Sequence, residues 1–510
     1  MYRIHLPLMA GTVADKAAGH LAARAFVGLH VLLLLLLVAG RAHGQDDTRR
    51  LLEQGARQQS LQREQQLLEQ ATAGDRPTLT VDGKTYRVEN TPNDVGQALY
   101  LMLAQRQWTL ARGFLQEYRQ LADHDPLLLH YAQGLLHRAD GEHARAIAEF
   151  TALLALQPDF MLARLELART LFEHQQDREA AALFDSIQAS LAVEDARNAG
   201  VRGTVALFQQ ALRNRSRWEG SLALGPQWND NLNRSSASRI CLYQLGSECL
   251  LDRQTPAALS GSGVEYDATL ARRVAVAGHH GVYLRSLLYG QLYRDAGAYN
   301  EASFAAQAGY SYRSASHRLS LAPTFDYYRW GRQTLYGGWG AHAEWSWTPR
   351  PRHLLRIEAD SKALRYRNAG LADNYDGSQN TLSLTYFNAL NEQWTLFAGG
   401  DLADSGARQG VNAYLQRGLR AGAVLQWPEG FATTVMASLR ERRHDAFNAL
   451  LDKRREDTEQ NYTLVIKASR WAMAGFVPVL TLRRTVARST VGWLYSYDKN
   501  VASLKLERGF

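Results

Sequence analysis

The sequence has 510 residues, which leaves room for two or three domains of ordinary size. Charged residues make up 21% and the mean hydropathy is −0.33, values that suit a globular protein or a β-barrel whose strands are apolar on one face. The formal net charge is +8, but the basic residues are scattered and form no Lys/Arg block. Composition therefore argues against a nucleic-acid partner, and the fold class depends on the pattern along the chain.

The N-terminus is predicted to be a secretory signal peptide, residues 1–44. Its run from Val31 to Val38 is wholly apolar and is followed by a small-x-small cleavage site that ends at Gly44. A start at Met9 and an uncleaved signal anchor are the alternatives. After position 44, no segment approaches the roughly 18–20 apolar residues of a membrane-spanning helix. A mature protein held in an inner membrane is therefore disfavoured.

Residues 45–91 are predicted to be a polar leader followed by a small hairpin. The stretch from Asp46 to Gln70 is rich in Gln, Glu, Arg and Leu, which favours a polar helix or a partly disordered leader. The stretch from Leu79 to Val88 alternates around Asp82-Gly83, a dipeptide that suits a tight hairpin turn. We assign no chemistry to this region.

Helical periodicity begins after Pro92, and two helix pairs superpose at a spacing of 34 residues, the tetratricopeptide period. In such a repeat, small residues let two helices approach and a phenylalanine fills the gap between them. We therefore predict a periplasmic TPR-like domain over residues 92–213, with a degenerate first unit at 95–126 and a closing helix at 193–213. Its packing and helix-ending positions are predicted to be Gly134, Ala146, Phe150, Pro158, Ala168, Ala180 and Phe184.

Stacked helix pairs form a concave surface, and such surfaces bind polypeptide. We interpret the TPR-like domain as a binding module for a client polypeptide. The alternative is a spacer that holds the rest of the chain away from something else. A solenoid this short has little value as a spacer.

After Trp218 the period changes from 3.6 to 2, and residues 218–510 are predicted to be an outer-membrane β-barrel. In one stretch, Val282 and Leu284 alternate with Tyr283 and Arg285, as expected of a strand between lipid and a polar lumen. An even strand number returns both ends to the periplasm. Fourteen segments are predicted: 218–228, 263–276, 281–294, 300–313, 317–330, 336–347, 353–366, 375–387, 394–403, 413–427, 431–443, 461–472, 476–488 and 501–510.

The connections and the C-terminus support a barrel independently. Connections after even-numbered segments are short, whereas those after odd-numbered segments include the long ones, as in bacterial outer-membrane barrels. The last segment places Leu504 and Leu506 on one face and ends at Phe510, which resembles the signal for insertion by the barrel-assembly machinery. A soluble β-sandwich would explain neither feature. The predicted fold is thus a TPR solenoid followed by a 14-stranded antiparallel transmembrane barrel.

Two cysteines, Cys241 and Cys249, lie in the predicted first surface loop. In an exported chain a disulfide can form and persist, so we predict that they are bonded. The alternative is a pair of reduced thiols. A metal site is disfavoured, because two thiols without nearby histidines do not complete a tetrahedral shell.

Polar clusters in the barrel region indicate no catalytic, cofactor or metal site. Glu358 and Asp360 share a face and could act as an acid/base pair, but charged lumen residues are common in barrels. An oxygen-rich run ends the first strand, and it could bind a cation or, as we favour, bond the local backbone. Its members are Asn229, Asp230, Asn231 and Asn233.

The chain resembles the surface lipoprotein assembly modulators, the Slam family, which join a TPR domain to a fourteen-stranded barrel. The matching stretches are ALYLMLAQRQW from Ala98, HDPLLLHYAQGLLHRADGEHARAI from His124, PDFMLARLELARTLFE from Pro158, WNDNLNRSS from Trp228 and the C-terminal LKLERGF, and RLELARTLFE is the most specific. The resemblance implies that the protein helps newly made lipoproteins or related exported proteins reach the bacterial surface. It does not extend to the cysteine pair.

Two other functions compete with protein export, namely a polysaccharide exporter and a passive porin. A porin needs no repeat domain. A polysaccharide exporter usually has more repeats and a lumen dense in acidic or aromatic residues, whereas predicted lumen positions such as Arg285, Asp326 and Lys505 mix both charges. The short solenoid and the motif match favour protein export. The client, and its route through the lumen or along a seam, stay open.

Overall fold

A computed structural model describes residues 47–55, 57, 64, 65, 91–191, 198–449 and 451–510. The expected signal peptide and the hairpin predicted at 79–88 lie outside these residues. Within the described part, a helical domain precedes a closed antiparallel barrel of fourteen strands, so the predicted fold class is confirmed. No described helix is both long and apolar enough to cross a bilayer.

The TPR domain is a succession of seven described short helices, of which the first and the third begin at a capping side chain. The Thr91 hydroxyl accepts from the Asp94 N–H at 3.2 Å, and Asp125 caps the third helix in the same way at 2.9 Å. Each cap is followed by a proline, whose missing N–H is not needed in a first turn. The helices are α1 (Pro92–Ala104), α2 (Trp108–Gln120), α3 (Pro126–Ala139), α4 (His143–Leu156), α5 (Met161–Glu173), α6 (Asp177–Ser190) and α7 (Ala199–Arg215).

Successive helix pairs pack through the residues that the 34-residue spacing singled out. Phe150 and Phe184 are fully buried at equivalent places in α4 and α6. A Cβ added to Gly134 would lie 2.6 Å from Cε1 of Phe150, so glycine is what lets this ring fill the gap between helices. Pro158 lies in the exposed turn after α4. Ala146, Ala168 and Ala180 are fully buried as well.

The barrel strands alternate in burial, and this alternation separates the lumen from the lipid face. In the first strand Ser221 and Gln227 are buried, whereas Leu222 and Leu224 are more than half exposed. Polar side chains therefore face the lumen and apolar ones face lipid. The first eight strands are β1 (Glu219–Asn229), β2 (Arg239–Leu245), β3 (Glu248–Gln254), β4 (Gly261–Ala277), β5 (His280–Tyr293), β6 (Glu301–Arg313), β7 (His317–Trp330) and β8 (Gln333–Arg350).

All strands except β2 and β3 belong to the barrel, and each barrel strand pairs with its neighbours in chain order. The β2–β3 hairpin lies in the loop after β1 and was not predicted. The remaining strands are β9 (His353–Tyr366), β10 (Gly377–Ala389), β11 (Trp394–Ser405), β12 (Tyr414–Trp427), β13 (Phe431–Asn448), β14 (Lys453–Ala468), β15 (Val477–Ser489) and β16 (Tyr497–Gly509). Short helices α8 (Ala369–Tyr375) and α9 (Gly492–Tyr495) lie in two of the loops.

The seam between β1 and β16 closes the barrel and is interrupted near its middle. Pairing runs from Ser221 to Leu224 and from Gln227 to Asn229, whereas β1 pairs with β4 without a break. The N–H groups of Gly220 and Asp230 point to β16, so even-numbered residues of β1 face that strand. Pro226 is one of them and has no N–H to donate. The proline therefore accounts for the missing hydrogen bond in the seam.

Candidate functional site

Helices α1, α3 and α5 are the first helices of successive pairs and form one face of the TPR domain. This face carries two tyrosines, one on α1 and one on α3. Tyr100 on α1 is 45% exposed. Tyr131 on α3 packs edge-on against Phe160, with ring centroids 6.1 Å apart. Burial and the neighbouring Glu166 carboxylate raise the pKa of Tyr131, and Tyr100 contributes to the same environment. We call this face the groove. Exposed aromatic side chains are enriched among the residues that dominate the free energy of protein binding.

Charged residues of the groove are paired with one another. Arg138 on α3 makes a bidentate pair with Glu173 on α5, with N–O distances of 2.9 and 2.6 Å, and also contacts Glu166. Burial opposes ionisation of Glu173, but hydrogen bonds from Arg138 and His143 outweigh it and lower its pKa to about 2. The pairs fix the spacing of α3 and α5. Of the two tyrosines on this face, Tyr100 is the exposed one.

The TPR domain docks on the barrel at the short turn between β4 and β5. The Gly278 N–H donates to Glu179 at 2.7 Å. Asp177, at the start of α6, accepts from Arg215 at 2.5 Å and from Arg273 of β4 at 3.3 Å. Short turns mark the periplasmic end of outer-membrane barrels. The TPR domain is thus fixed to the short-turn end of the barrel.

A column of three histidines forms the centre of this docking contact. The ring of His174 stacks on His143 with centroids 5.7 Å apart and meets His279 of the β4–β5 turn edge-on at 4.4 Å. Among the described residues, the buried Nδ1 of His174 has no hydrogen-bond partner. Burial, together with His279 and His143, lowers the pKa of His174 from 6.5 to about 4. The docked state therefore holds this imidazole neutral.

Docking should weaken in acid. An undocked His174 titrates near its ordinary pKa of 6.5 and a docked one near 4, so the undocked state binds more protons between these values. The contribution of His174 to the free energy of docking is therefore fully present above about pH 6.5 and is lost as the pH falls towards 4. Spin labels at Leu110→Cys and Ala315→Cys should move apart when the pH is lowered from 7 to 5. The same labels in a His174→Gln chain should respond much less, and an equal response would assign the effect to other groups.

The lumen wall is lined with ion pairs that join neighbouring strands or cross the interior. Carboxylates and cations are mixed, and most of these side chains are buried. Asp360 is one of the two carboxylates that had been considered for acid/base work, and it is engaged by His342. The pairs are Lys505–Asp267, Arg483–Glu265 (2.7 Å), Arg420–Asp401 (2.9 Å), Lys362–Asp326 (2.7 Å), His342–Asp360 (3.0 Å) and Lys467–Glu507 (2.8 Å).

Helical residues 47–55, with Arg57, lie inside the barrel, and we call them the lumenal segment. Asp47 pairs with Arg440 of β13, and Arg57 pairs with Glu344 of β8. Between this segment, α7 and the barrel mouth is a cavity of about 290 Å³ whose lining is rich in arginine. The cavity lies where the TPR domain meets the lumen.

The polar run at the end of β1 is hydrogen-bonded to the surrounding chain. Asp230 accepts from the backbone and side-chain nitrogens of Asn500 at 2.7 and 2.6 Å, which ties β1 to β16 across the seam. The others bond nearby strands and loops, so the structure gives them local structural partners. The bonds run from Asn229 Nδ2 to the Tyr293 hydroxyl (3.2 Å), from Asn231 Nδ2 to the Ser235 and Asp498 carbonyls (both 2.9 Å) and from Asn233 Nδ2 to the Ala257 carbonyl (2.8 Å).

The remaining predicted site residues lie at the two ends of the barrel. Cys241 and Cys249 form a disulfide, with Cα atoms 5.7 Å apart, that joins β2 to β3 in the loop after β1. Leu504, Leu506 and Phe510 are each about half exposed, on the lipid side of the last strand. The TPR positions, the loop run, the disulfide and the residues of the predicted C-terminal signal thus occupy separate places. The structure does not bring them into one site.

Sequence reasoning missed the docking residues and the lumenal segment. Asp177, Glu179 and His174 lie among ordinary helix-surface residues, and nothing in their spacing distinguishes docking from solvation. The arginines of the lumenal segment were placed in a leader without chemistry. The spacing of the charged residues in this segment fits a helix, but a helix exposed to solvent shows the same spacing.

Among the described residues, no group of three or more His, Cys, Asp or Glu side chains could hold a metal ion.

Comparison with known proteins identifies the family. Residues 218–510 match the family described as surface lipoprotein assembly modifier, and residues 82–184 match the N-terminal TPR repeats of the same family. The chain is 38% identical over 491 residues to the hemophilin secretion modulator of Acinetobacter baumannii, covering 94% of this chain and 98% of that protein.

More distant relatives carry the family name itself. Identity is 24% over 440 residues with surface lipoprotein assembly modifier 1 of Neisseria meningitidis serogroup B, covering 85% of this chain and 86% of the relative. It is also 24% over 433 residues with surface lipoprotein assembly modifier 2 of Haemophilus influenzae, covering 82% and 85%. The resemblance seen in the sequence is thereby confirmed. The chain belongs to the surface lipoprotein assembly modifier family and is an outer-membrane barrel protein with a TPR domain.

Proposed function

We propose that this chain is an outer-membrane translocation or assembly factor that delivers lipoproteins or related exported proteins to the bacterial surface. The TPR domain binds the client in its groove, and the barrel mediates its transfer. The observation that carries the proposal is the docking of the TPR domain on the short-turn end of the barrel, through Glu179 and Gly278. A client bound there stays at high effective concentration next to its exit. The names of the relatives, which refer to surface lipoproteins and to hemophilin secretion, support this client class.

The competing functions account for less of the molecule. A passive porin needs neither a TPR domain nor a charged segment across its lumen. A conduit for sugars would favour an acidic or aromatic lumen, whereas pairs such as Arg420–Asp401 and Lys505–Asp267 keep both charge signs along the wall. The family names refer to assembly and secretion factors and not to catalysts. We therefore propose no enzymatic activity and no cofactor.

Two further partners belong to the proposal. The apolar outer face of the strands, with Leu222 and Leu224 more than half exposed, fits outer-membrane lipid. The last strand, ending at Phe510, fits recognition by the barrel-assembly machinery during biogenesis. We place the TPR domain in the periplasm, because it contacts the short-turn end of the barrel. No surface of nucleic-acid-binding type is included, because the basic residues form no block.

The test is surface display of a client. The protein is co-expressed with a lipoprotein or secreted protein encoded beside it, and antibody binding to intact cells is measured. Tyr100→Ala should lower display about tenfold or more, because a hot-spot aromatic contributes about 2 kcal/mol or more to binding. Leu110→Ala is the matched control, since Leu110 is 54% exposed on α2, outside the groove. Barrel levels in the outer membrane should be equal in both variants.

Two outcomes would contradict this function. Equal display from Tyr100→Ala and Leu110→Ala would remove the groove from client binding. Unchanged display after deletion of the whole protein would overturn the assignment to surface delivery itself. Deletion of residues 92–215, with the barrel still inserted, separates these cases, because it removes the groove and leaves the conduit.

A further inference from the structure

The lumenal segment carries charges into the interior of the barrel. Asp47, Arg49 and Arg50 are only 7–8% exposed, although none of them belongs to a strand. Buried charges stay ionised at acceptable cost only when groups of opposite sign face them. The lumen wall must therefore supply those groups at matching positions.

One side of the lumen supplies carboxylates. Three arginines of the segment face one carboxylate each on β7, β8 and β9, and the contact of Arg57 is bidentate, the geometry that is most specific for a guanidinium. These carboxylates come from different strands, so no two-strand hairpin could form the site. The pairs are Arg57–Glu344 (2.7 Å for both nitrogens), Arg49–Asp326 (3.2 Å) and Arg50–Glu358 (3.8 Å).

Another part of the lumen wall, on β11 and β13, supplies an apolar surface and a cation. Asp47 accepts from Ser438 of β13 at 2.8 Å and pairs with Arg440 of the same strand. Leu51 packs on an apolar cluster that includes Phe397. The charge pattern thus fixes one orientation, because a reversed segment would place its aspartate against the acidic wall and its arginines against Arg440. The lumen wall is therefore complementary in charge to the lumenal segment in a single orientation.

We propose that the lumen wall is a binding site for the chain's own lumenal segment, and that this segment closes the barrel to ions and small solutes. The inference goes beyond client delivery and holds whether or not a client is present. Glu64, a little further along the chain, bonds Arg215 of α7 at 2.6 Å, and Arg215 bonds Asp177 of the docking contact at 2.5 Å. The closed lumen is thereby connected to the TPR domain.

The first experiment locates the segment in the intact protein. Asp47→Cys combined with Ser438→Cys should form a cross-link in cells, because the two side-chain oxygens are 2.8 Å apart. Asp47→Cys with Ser346→Cys, a buried position on β8 near Glu344, should not. The linked peptides are identified by mass spectrometry. Absence of the Ser438 link, or equal linking to both positions, would overturn the proposal even if other variants failed to fold.

The second experiment measures ion conductance of the purified full-length protein in planar bilayers, with no client added. Deletion of residues 47–57 should raise conductance about tenfold or more, because a water-filled lumen conducts and a plugged one does not. A chain with Arg49, Arg50 and Arg57 all changed to alanine should also conduct more. Wild-type conductance equal to that of the deletion variant would overturn the closure. Because no client is involved, this failure is distinct from failure of surface delivery.

A matched triple variant controls for loss of charge. Arg112, Arg408 and Arg470 form ion pairs outside the lumen, and their side chains are 46%, 58% and 59% exposed. Changing these three to alanine removes the same charge from the protein but leaves the lumenal segment untouched. Its conductance should equal that of the wild type. If it rose as much as that of the lumenal triple variant, the closure by specific ion pairs would be wrong.

Discussion

Deletion of Phe510 should lower the amount of barrel in the outer membrane, by up to roughly 30-fold. The backbone of Phe510 exchanges two hydrogen bonds with Gly220, at 3.2 and 3.0 Å, and so closes the periplasmic end of the β1–β16 seam. Two such bonds are worth about 2 kcal/mol net, which is roughly a 30-fold change in the ratio of closed to open barrel. The aromatic side chain, 51% exposed, would be lost in addition. Immunoblots of outer-membrane fractions give the measurement.

Two substitutions separate the backbone from the ring. Phe510→Ala keeps both hydrogen bonds and removes only the aromatic group, so it should lower the inserted amount less than the deletion does. Phe510→Trp keeps an aromatic ring on the lipid side and should insert at nearly the wild-type level. Normal insertion of the deletion variant would show that neither the two seam bonds of Phe510 nor its aromatic ring is needed for insertion.

Phe184→Ala should destabilise the TPR domain by about 3–5 kcal/mol while leaving the barrel intact. Phe184 is fully buried and stacks on Phe208 of α7, with ring centroids 5.1 Å apart. Total domain stabilities are about 5–15 kcal/mol, so this loss removes a large part of the stability. Limited proteolysis of the full-length protein should cut the TPR domain faster, and the barrel should still resist denaturation on gels.

An exposed leucine provides the control. Leu156 is 58% exposed at the end of α4, and its replacement by alanine should change the free energy of unfolding by no more than about 0.5 kcal/mol.

A double-variant cycle tests the packing of Gly134 against Phe150 directly. Gly134→Ala alone should destabilise, because its Cβ would lie 2.6 Å from Phe150, but it should cost much less in a Phe150→Ala chain. Additive effects in that cycle would contradict the contact.

The strands could be predicted wherever one face meets lipid. The segment predicted at 281–294 corresponds to β5, His280–Tyr293, because its leucines must alternate with lumen residues. The pattern failed at β14, which was predicted from 461 and begins at Lys453. The added residues, KRREDTEQ, contain no apolar side chain. A strand that extends beyond the lipid needs no alternation, so its sequence carries no period.

The lumen could be predicted as polar, but its ion pairs could not. Arg285 and Asp326 were placed on the lumen face by alternation alone. Their partners depend on which strands and segments meet across the interior. The alternation of residues within one strand does not show which other strand or segment it meets. Arg57 and Glu344 are 287 positions apart in the chain. For the same reason, the TPR domain could be predicted from its 34-residue repeat, whereas the docking of this domain on the barrel through His174 could not.

The position of the lumenal segment imposes an order on folding. The segment precedes every strand in the chain, yet its Arg49 contacts Asp326 across 277 residues and its Thr48 contacts Arg483 across 435. Its contacts reach β15, the last strand but one of the sequence, so most of the barrel strands must be in place before its binding site is complete. Non-local contacts of this kind form late in folding, because a long loop must close first. We therefore expect the lumenal segment to bind late, after most of the barrel strands have paired.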